Sequence, residues 1–322
     1  MNKHFWKGRK VLITGFEGFL GSNLTKALLY SGAKIYGLDI KVRRKDTILA
    51  AADYKKITVI KGSVADYKLV KNIIRRNKIN VVFHLAAEAI VGKCHNDPLC
   101  TFSTNIQGTW NILEACRGLK NIRAVVIASS DKAYGSHKKL PYTEKTPLQG
   151  NHPYDVSKSC ADLIANTYAY TYGLPVCVTR CGNIFGPGDF NFSRLVPDAV
   201  ICALTCKKLL IRSDGLFTRD YVFVEDIVNG YILLAEKICK LNLSGECFNF
   251  SCERPVTVIK LVKMISKAIG KPADYKILNQ IKYEIRHQYL SSRKARAKLG
   301  WRPVFSLDTG LKNTIGWYKK VF

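Results

Sequence analysis

Short runs of consecutive apolar, largely β-branched residues punctuate the first half of the chain: 10-KVLIT-14, 34-KIYGLD-39, 57-ITVIKG-62, 80-NVVFHLA-86, 123-RAVVIAS-129 and 175-PVCVTR-180. A strand that is apolar on both sides of its pleat has both faces covered, so these runs predict the buried strands of a parallel sheet. Between them, 20-LGSNLTKALLYSG-32 and 66-DYKLVKNIIRRNK-78 carry apolar residues at helical spacing, and Ser31-Gly32 supplies a stop to the first. Strand and helix alternate, which predicts an α/β fold with a doubly wound parallel sheet. The pattern loses regularity from about 183 to 215, around Gly186, Pro187, Gly188, Pro197 and Gly215, and again from about 250 to 290. No internal repeat or low-complexity linker separates a second unit. A smaller C-terminal substrate-binding lobe is therefore expected from residues 183–215 and 250–322, with 1–182 as the first domain and 216–249 returning to it.

The 322 residues can bury a full core without covalent staples. Eleven cysteines show no C-x-x-C pair and no Cys/His cluster at zinc spacing, and many lie in apolar runs such as 175-PVCVTRC-181. They read as reduced, mostly buried thiols of a cytoplasmic protein without a metal site. The N-terminal stretch lacks a leader-like apolar region, and no apolar run is long enough to span a bilayer. Fifty-one Lys and Arg against 24 Asp and Glu give a formal charge of +27. The basic runs 41-KVRRK-45, 71-KNIIRRNK-78, 137-HKK-139 and 292-SRKARAK-298 are not interleaved with aromatic residues into a stacking platform. They read as solvated faces with some attraction for a phosphorylated ligand, not as a nucleic-acid surface.

The stretch 14-TGFEGFLG-21 sets Gly15, Gly18 and Gly21 between a predicted strand and helix. The spacing differs by one residue from the dinucleotide fingerprint. The first glycine permits a tight turn, the second lets a pyrophosphate approach the backbone, and the third lets helix pack on strand. Asp39 follows 24 residues after Gly15, at the end of the second strand. A carboxylate there accepts both ribose hydroxyls of an adenosine and repels a 2′-phosphate, which favours NAD over NADP, although Arg43 and Arg44 adjoin it. The fold expected is thus of Rossmann type.

Within the helical pattern 152-HPYDVSKSCADLIANTYAYTYG-173, Tyr154 and Lys158 are four residues apart and share a face. A phenol serves as a base near neutral pH only where its phenolate is stabilised, and an ammonium with a nicotinamide cation would do so. Ser130 follows the strand that ends at Ser129.

Together, Gly15/Gly18/Gly21, 84-HLAA-87, Ser130, Tyr154-x-x-x-Lys158, 180-RCGNIFGPG-188 and 219-RDYVFVEDI-227 resemble the extended short-chain dehydrogenase/reductases that act on nucleotide sugars. The resemblance runs essentially end to end. It implies bound NAD held by Gly15, Phe16, Gly18, Phe19, Leu20, Gly21, Asp39, Ser63, Val64, Leu85, Ala86, Ala87 and Asn105, besides Tyr154 and Lys158. It implies a nucleoside diphosphate sugar held by Asn183, Arg194, Leu195, Arg212, Arg219 and Arg286. It also implies a homodimer, through helices around 105 to 117 and 154 to 172.

The pair Asp131-Lys132 asks for a second proton transfer, since an epimerase of this family uses only the serine, tyrosine and lysine. In the family's 4,6-dehydratases an acid and a base follow the Ser or Thr, Asp-Glu in the dTDP-glucose branch, and Asp-Lys resembles the CDP-glucose branch and some UDP-N-acetylglucosamine dehydratases. Further likeness to the CDP-glucose branch lies in 6-WKGRKVLITG-15, 192-FSRLVPD-198 and 299-LGWRPVFSLDTGLKNTIGWY-318. The sequence departs from that branch at Phe16, where His is usual, and at 219-RDYVFVEDI-227, where the branch has a Trp-containing segment. The expected reaction is loss of water from a nucleotide hexose. Tyr154 acts as base and Ser130 as hydrogen-bond donor at C4, Lys132 as base at C5 and Asp131 as acid at C6. A 4-epimerase, and a non-catalytic dinucleotide- or RNA-binding protein, are the alternatives. Nucleotide and sugar stay open.

Overall fold

The computed structural model describes residues 2–280 and 284–322. Six strands come from the first half of the chain: β1 (Lys10–Thr14), β2 (Lys34–Asp39), β3 (Ile57–Lys61), β4 (Val81–His84), β5 (Ala124–Ala128) and β6 (Val176–Cys181). Eight more follow: β7 (Asn183–Phe185), β8 (Leu209–Ile211), β9 (Thr218–Arg219), β10 (Tyr221–Phe223), β11 (Cys247–Phe250), β12 (Val256–Thr257), β13 (Tyr275–Ile277) and β14 (His287–Gln288). The central sheet is parallel throughout, in the order β3-β2-β1-β4-β5-β6-β11. The chain starts in the middle, winds outward to β3, then crosses to β4 and winds the other way. That reversal leaves a crevice beside β1 and β4 at their C-terminal ends, where such sheets bind ligands.

All six predicted strands form, within two residues of the expected ends. The largest difference is at 80-NVVFHLA-86, where β4 stops at His84. The Thr14 hydroxyl accepts the Leu85 and Ala86 amides at 3.2 and 3.1 Å, and so turns the chain out of the sheet. Both faces are covered, as continuous apolar strands require. One apolar layer includes Val11, Ile13, Leu24, Leu28, Ile227 and Tyr231; the other includes Leu12, Val70, Ile74, Val82, Ile112 and Val176.

A smaller core gathers Phe185, Val196, Val200, Leu209, Ile211, Leu261, Ile265, Leu311 and Tyr318. Its short strands join remote segments: β7 with β10, β8 with β13, and β9 between β12 and β14. Residues 218–223 thus pair with strands of this lobe, whereas the helix that follows, Val224–Lys237, packs on the helix Phe19–Tyr30 beneath the central sheet.

Candidate active site

The glycine loop is built around contacts that admit no side chain. Gly15 has φ +70°, and a Cβ on it would lie 2.9 Å from the Ala86 amide nitrogen. A Cβ on Gly21 would sit 2.0 Å from the Gly15 carbonyl oxygen. Gly18 stands at the N-cap of the helix Phe19–Tyr30 and offers no capping side chain, so the helix amides point at the crevice uncapped. Asp39 ends β2, with its carboxylate accepting from the Glu17 amide at 3.3 Å. Burial raises its pKa, and those amide contacts together with Arg44 oppose the rise. Glu17, fully buried, accepts from the Arg43 and Arg44 amides at 2.6 and 2.7 Å and fixes the loop after β2. The Arg44 side chain is drawn off to Asp46, and Arg43 lies over the Tyr54 ring. Free helix amides, missing side chains and a carboxylate at the end of β2 fit a dinucleotide with unmodified ribose hydroxyls.

Phe19 and Leu20 open that helix, and Ser63, Val64, Leu85, Ala86 and Ala87 follow β3 and β4 along the crevice. Phe16 is different. Its ring is in the core against Gly37, where a Cβ would approach it to 2.5 Å, so only its backbone belongs to the loop.

The helix Pro153–Tyr172 opens with Pro153 at a position that needs no amide donor and ends on Gly173 in the left-handed conformation. It carries Tyr154 and Lys158 to the mouth of β5. Lys158 is buried, donates to the Ala128 carbonyl at 2.8 Å and lies 5.8 Å from the Tyr154 ring centre. Burial lowers its pKa to about 8. Burial also pushes the Tyr154 phenol up to about 12, with the Ser130 hydroxyl and Arg194 acting the other way.

Asp131, Lys132 and Tyr134 form one turn of 3₁₀ helix, with Ser130 as its N-cap accepting the Lys132 amide at 3.2 Å. The Ser130 hydroxyl donates to Asp131 at 3.1 Å. Asp131 is buried, which raises its pKa against the pull of Lys132, Ser130 and Arg219. The turn is held from behind: Tyr134 donates to Asn249 at 2.7 Å and accepts from Arg180 at 2.8 Å, and Arg180 forms a buried ion pair with Asp162 at 2.8 Å.

A second network was not legible in the sequence. Since the Thr14 hydroxyl already accepts two amides, it donates to His84 Nδ1 at 2.8 Å. His84 Nε2 then donates to the Thr109 hydroxyl at 3.2 Å, which donates to the Asn105 carbonyl at 2.6 Å. The Asn105 side chain contacts Glu88 and, at 2.9 Å, Ser157, whose hydroxyl donates to the Tyr154 carbonyl. The ends of β1 and β4 are thereby tied to the helix that carries the tyrosine. Only the motif 84-HLAA-87 and Asn105 hinted at this.

On the opposite wall, Asn183 is half-buried on β7. Arg219 is buried on β9 and meets the Glu284 carboxylate at 2.7 Å. Arg286 pairs with Asp214 at 2.7 Å, and the two guanidiniums lie over the Phe217 ring at 5.7 and 5.8 Å. Arg194 stands just before the helix Leu195–Leu204, pairs with Asp189 at 3.2 Å and reaches the Phe19 ring at 5.9 Å, bridging lobe and glycine loop. Leu195 is half-buried beside it, while Arg212 is exposed at the end of β8. Asp220, inside 219-RDYVFVEDI-227, accepts from Ser251 and is moved by burial to a pKa of about 7, with Asp131 adding to the rise. Neither Asp220 nor Glu284 was singled out from the sequence.

A doubly wound sheet, a glycine loop opposite an acidic strand end, and a Ser-Tyr-Lys cluster at the crevice define the short-chain dehydrogenase/reductase class in its extended form. The GDP-mannose 4,6 dehydratase family matches residues 12–314, and the chain belongs to it. It is 31% identical over 336 residues to the CDP-glucose 4,6-dehydratase of Salmonella typhimurium, covering 99% of this chain and 93% of that one. The structure of a dTDP-glucose 4,6-dehydratase from Bacillus anthracis in complex with NAD is similar at TM-score 0.86 and 30% identity, covering 97% of each chain. A UDP-glucose 4-epimerase from Thermotoga maritima with UDP-glucose is similar at TM-score 0.86 and 28% identity, over 97% of this chain and 99% of that one.

Proposed function

We propose that the protein is an NAD-dependent nucleotide-sugar 4,6-dehydratase, converting an NDP-hexose to an NDP-4-keto-6-deoxyhexose and water. Overall shape does not separate this from epimerisation, since the likeness to a dehydratase and to an epimerase is equal at TM-score 0.86. What carries the reading is Asp131, a buried carboxyl with a raised pKa, beside Ser130 and Lys132 at the mouth of β5. Removing a hydroxyl from C6 requires an acid, and burial moves the Asp131 carboxyl in the direction of that role.

NAD, when bound, supplies a hydride acceptor at C4 and returns the hydride to C6. The chain's own groups move the protons. Tyr154 takes the proton of the C4 hydroxyl, helped by the Lys158 ammonium, while Ser130 hydrogen-bonds the same oxygen. The resulting 4-ketone acidifies C5. Lys132 removes that proton, Asp131 protonates the departing C6 hydroxyl, water leaves, and Lys132 then returns a proton to C5 of the resulting alkene. The crevice residues from Gly15 to Gly21, Asp39, Ser63, Val64, Leu85 to Ala87 and Asn105 are assigned to the cofactor. Asn183, Arg194, Leu195, Arg212, Arg219 and Arg286 are assigned to the nucleoside diphosphate sugar.

The same reading takes residues 1–182 with 224–249 as the NAD-binding domain and 183–223 with 250–322 as the substrate lobe; the expected return at 216 starts later because β9 and β10 pair with lobe strands. It takes the protein to be a homodimer, supported by Leu99, Trp110, Leu163, Tyr170 and Tyr172, large apolar side chains exposed on the helices Pro98–Phe102, Gly108–Cys116 and Pro153–Tyr172. A cytoplasmic setting is supported by eleven cysteines, all free thiols. Among the described residues no helix is long and apolar enough to cross a membrane.

The test is incubation with NAD and a panel of CDP-, UDP-, GDP- and dTDP-sugars, read by mass spectrometry. One nucleotide sugar should lose one water and, in deuterated solvent, carry deuterium at C5. Formation of the C4 epimer with every oxygen retained and no label at C5 would overturn the assignment.

A further inference from the structure

One carboxylate oxygen serves two cations in the crevice. Glu284 Oε1 lies 2.7 Å from Arg219 Nη2 and 4.0 Å from Lys132 Nζ. Arg219 is otherwise held by neutral partners, donating through Nη1 to the Thr218 and Arg286 carbonyls at 2.8 and 3.2 Å. Among the described residues, Glu284 is the one carboxylate at ion-pair distance from it. The trio differs in exposure: the Arg219 side chain is 7% exposed, Lys132 19% and Glu284 39%. Arg219 is fixed by its surroundings, and the anion is the member with most room to leave.

We propose that Glu284 is a positioning residue that holds Arg219 before substrate arrives and cedes it to the substrate diphosphate. This rests on the reading of Arg219 as a diphosphate ligand. A diphosphate brings more negative charge to Arg219 than one carboxylate does, and its charge repels Glu284 from the same place.

The experiment uses the NAD-loaded protein and its Glu284→Gln, Arg219→Gln and doubly substituted forms. CDP, UDP, GDP and dTDP are titrated calorimetrically, and the tightest is carried forward. Glu284→Gln should tighten its binding about fivefold, the size expected from removing a competing, partly exposed ion pair. Arg219→Gln should weaken it at least about tenfold, and adding Glu284→Gln to that variant should change nothing. The second readout is the split between KM and kcat. With the matching nucleotide sugar, KM should fall in Glu284→Gln by more than kcat changes. Unchanged nucleotide affinity in Glu284→Gln with weakened binding in Arg219→Gln overturns the role of Glu284 and leaves the diphosphate reading standing. Unchanged affinity in Arg219→Gln overturns both. A loss of kcat in Glu284→Gln with KM unchanged reduces Glu284 to a structural contact and also overturns the proposal.

Discussion

Replacing Gly21 with alanine puts a Cβ 2.0 Å from the Gly15 carbonyl oxygen and 2.9 Å from both Gly15 C and Phe16 Cα. Ordinary contact begins at 3.4 Å, so the helix Phe19–Tyr30 and the loop must part by about 1.4 Å. Both partners are backbone, which has no alternative rotamer to adopt. Overpacking of this kind costs roughly 1–3 kcal/mol, a fall of several degrees in melting temperature for a chain of this size. The displaced helix end is the one whose amides face the crevice, and binding sites tolerate shifts of only about 0.5 Å. NAD affinity should therefore fall at least about tenfold, measured by calorimetric titration alongside a thermal scan. Gly92 is the internal control. It lies in the helix Val91–Asn96 with nothing within 4 Å of its Cβ position. Gly92→Ala should leave NAD binding unchanged and raise stability by up to about 1 kcal/mol. Gly21→Ala with both melting temperature and NAD affinity of the unaltered protein would refute the reasoning.

Tyr154→Phe removes the phenol with little change in volume; folding and NAD binding should survive while C4 oxidation, read as NADH absorbance in a single turnover, slows at least about a hundredfold. Asp39→Ala should narrow the preference for NAD over NADP, measured as the ratio of the two dissociation constants, and equal affinities in the unaltered protein would remove Asp39 from that role. Asp131→Asn keeps an acceptor for Ser130 but loses the proton, so NADH should accumulate instead of vanishing. Because burial raises the Asp131 pKa, ionising it opposes folding, and the variant should gain stability over the unaltered protein as pH rises above the ordinary carboxyl range and lose that gain below it. His84, buried, has its pKa lowered to about 3. From pH 6.5 down to 3 the unfolded chain binds a proton that the native one refuses, so stability falls through that window, by about 1.4 kcal/mol per unit at most. His84→Asn should flatten that slope in acid denaturation.

The order of elements was legible because it is written locally. Consecutive apolar residues make a two-faced strand wherever they fall, three spaced glycines make a loop, and a four-residue interval aligns Tyr154 with Lys158 on any helix. The adjacency of Asp131 to Ser130 is likewise a property of neighbours, as is the carboxylate of Asp39 at a strand end. What tertiary structure decided is partnership across long separations. Nothing near Arg219 in the chain announces Glu284, which reaches it because β14 pairs with β9. His84 reads as one more polar residue until β1 and the helix Gly108–Cys116 bring Thr14 and Thr109 to its two ring nitrogens. Phe16, inside the cofactor motif, turns into the core because Gly37 on the adjoining strand leaves room for its ring. Asp220 acquires its raised pKa from burial and from Asp131, 89 residues earlier. Periodicity and turn chemistry act over a few bonds and survive in any context, whereas burial, ion pairing and pKa depend on which surfaces the folded chain brings face to face.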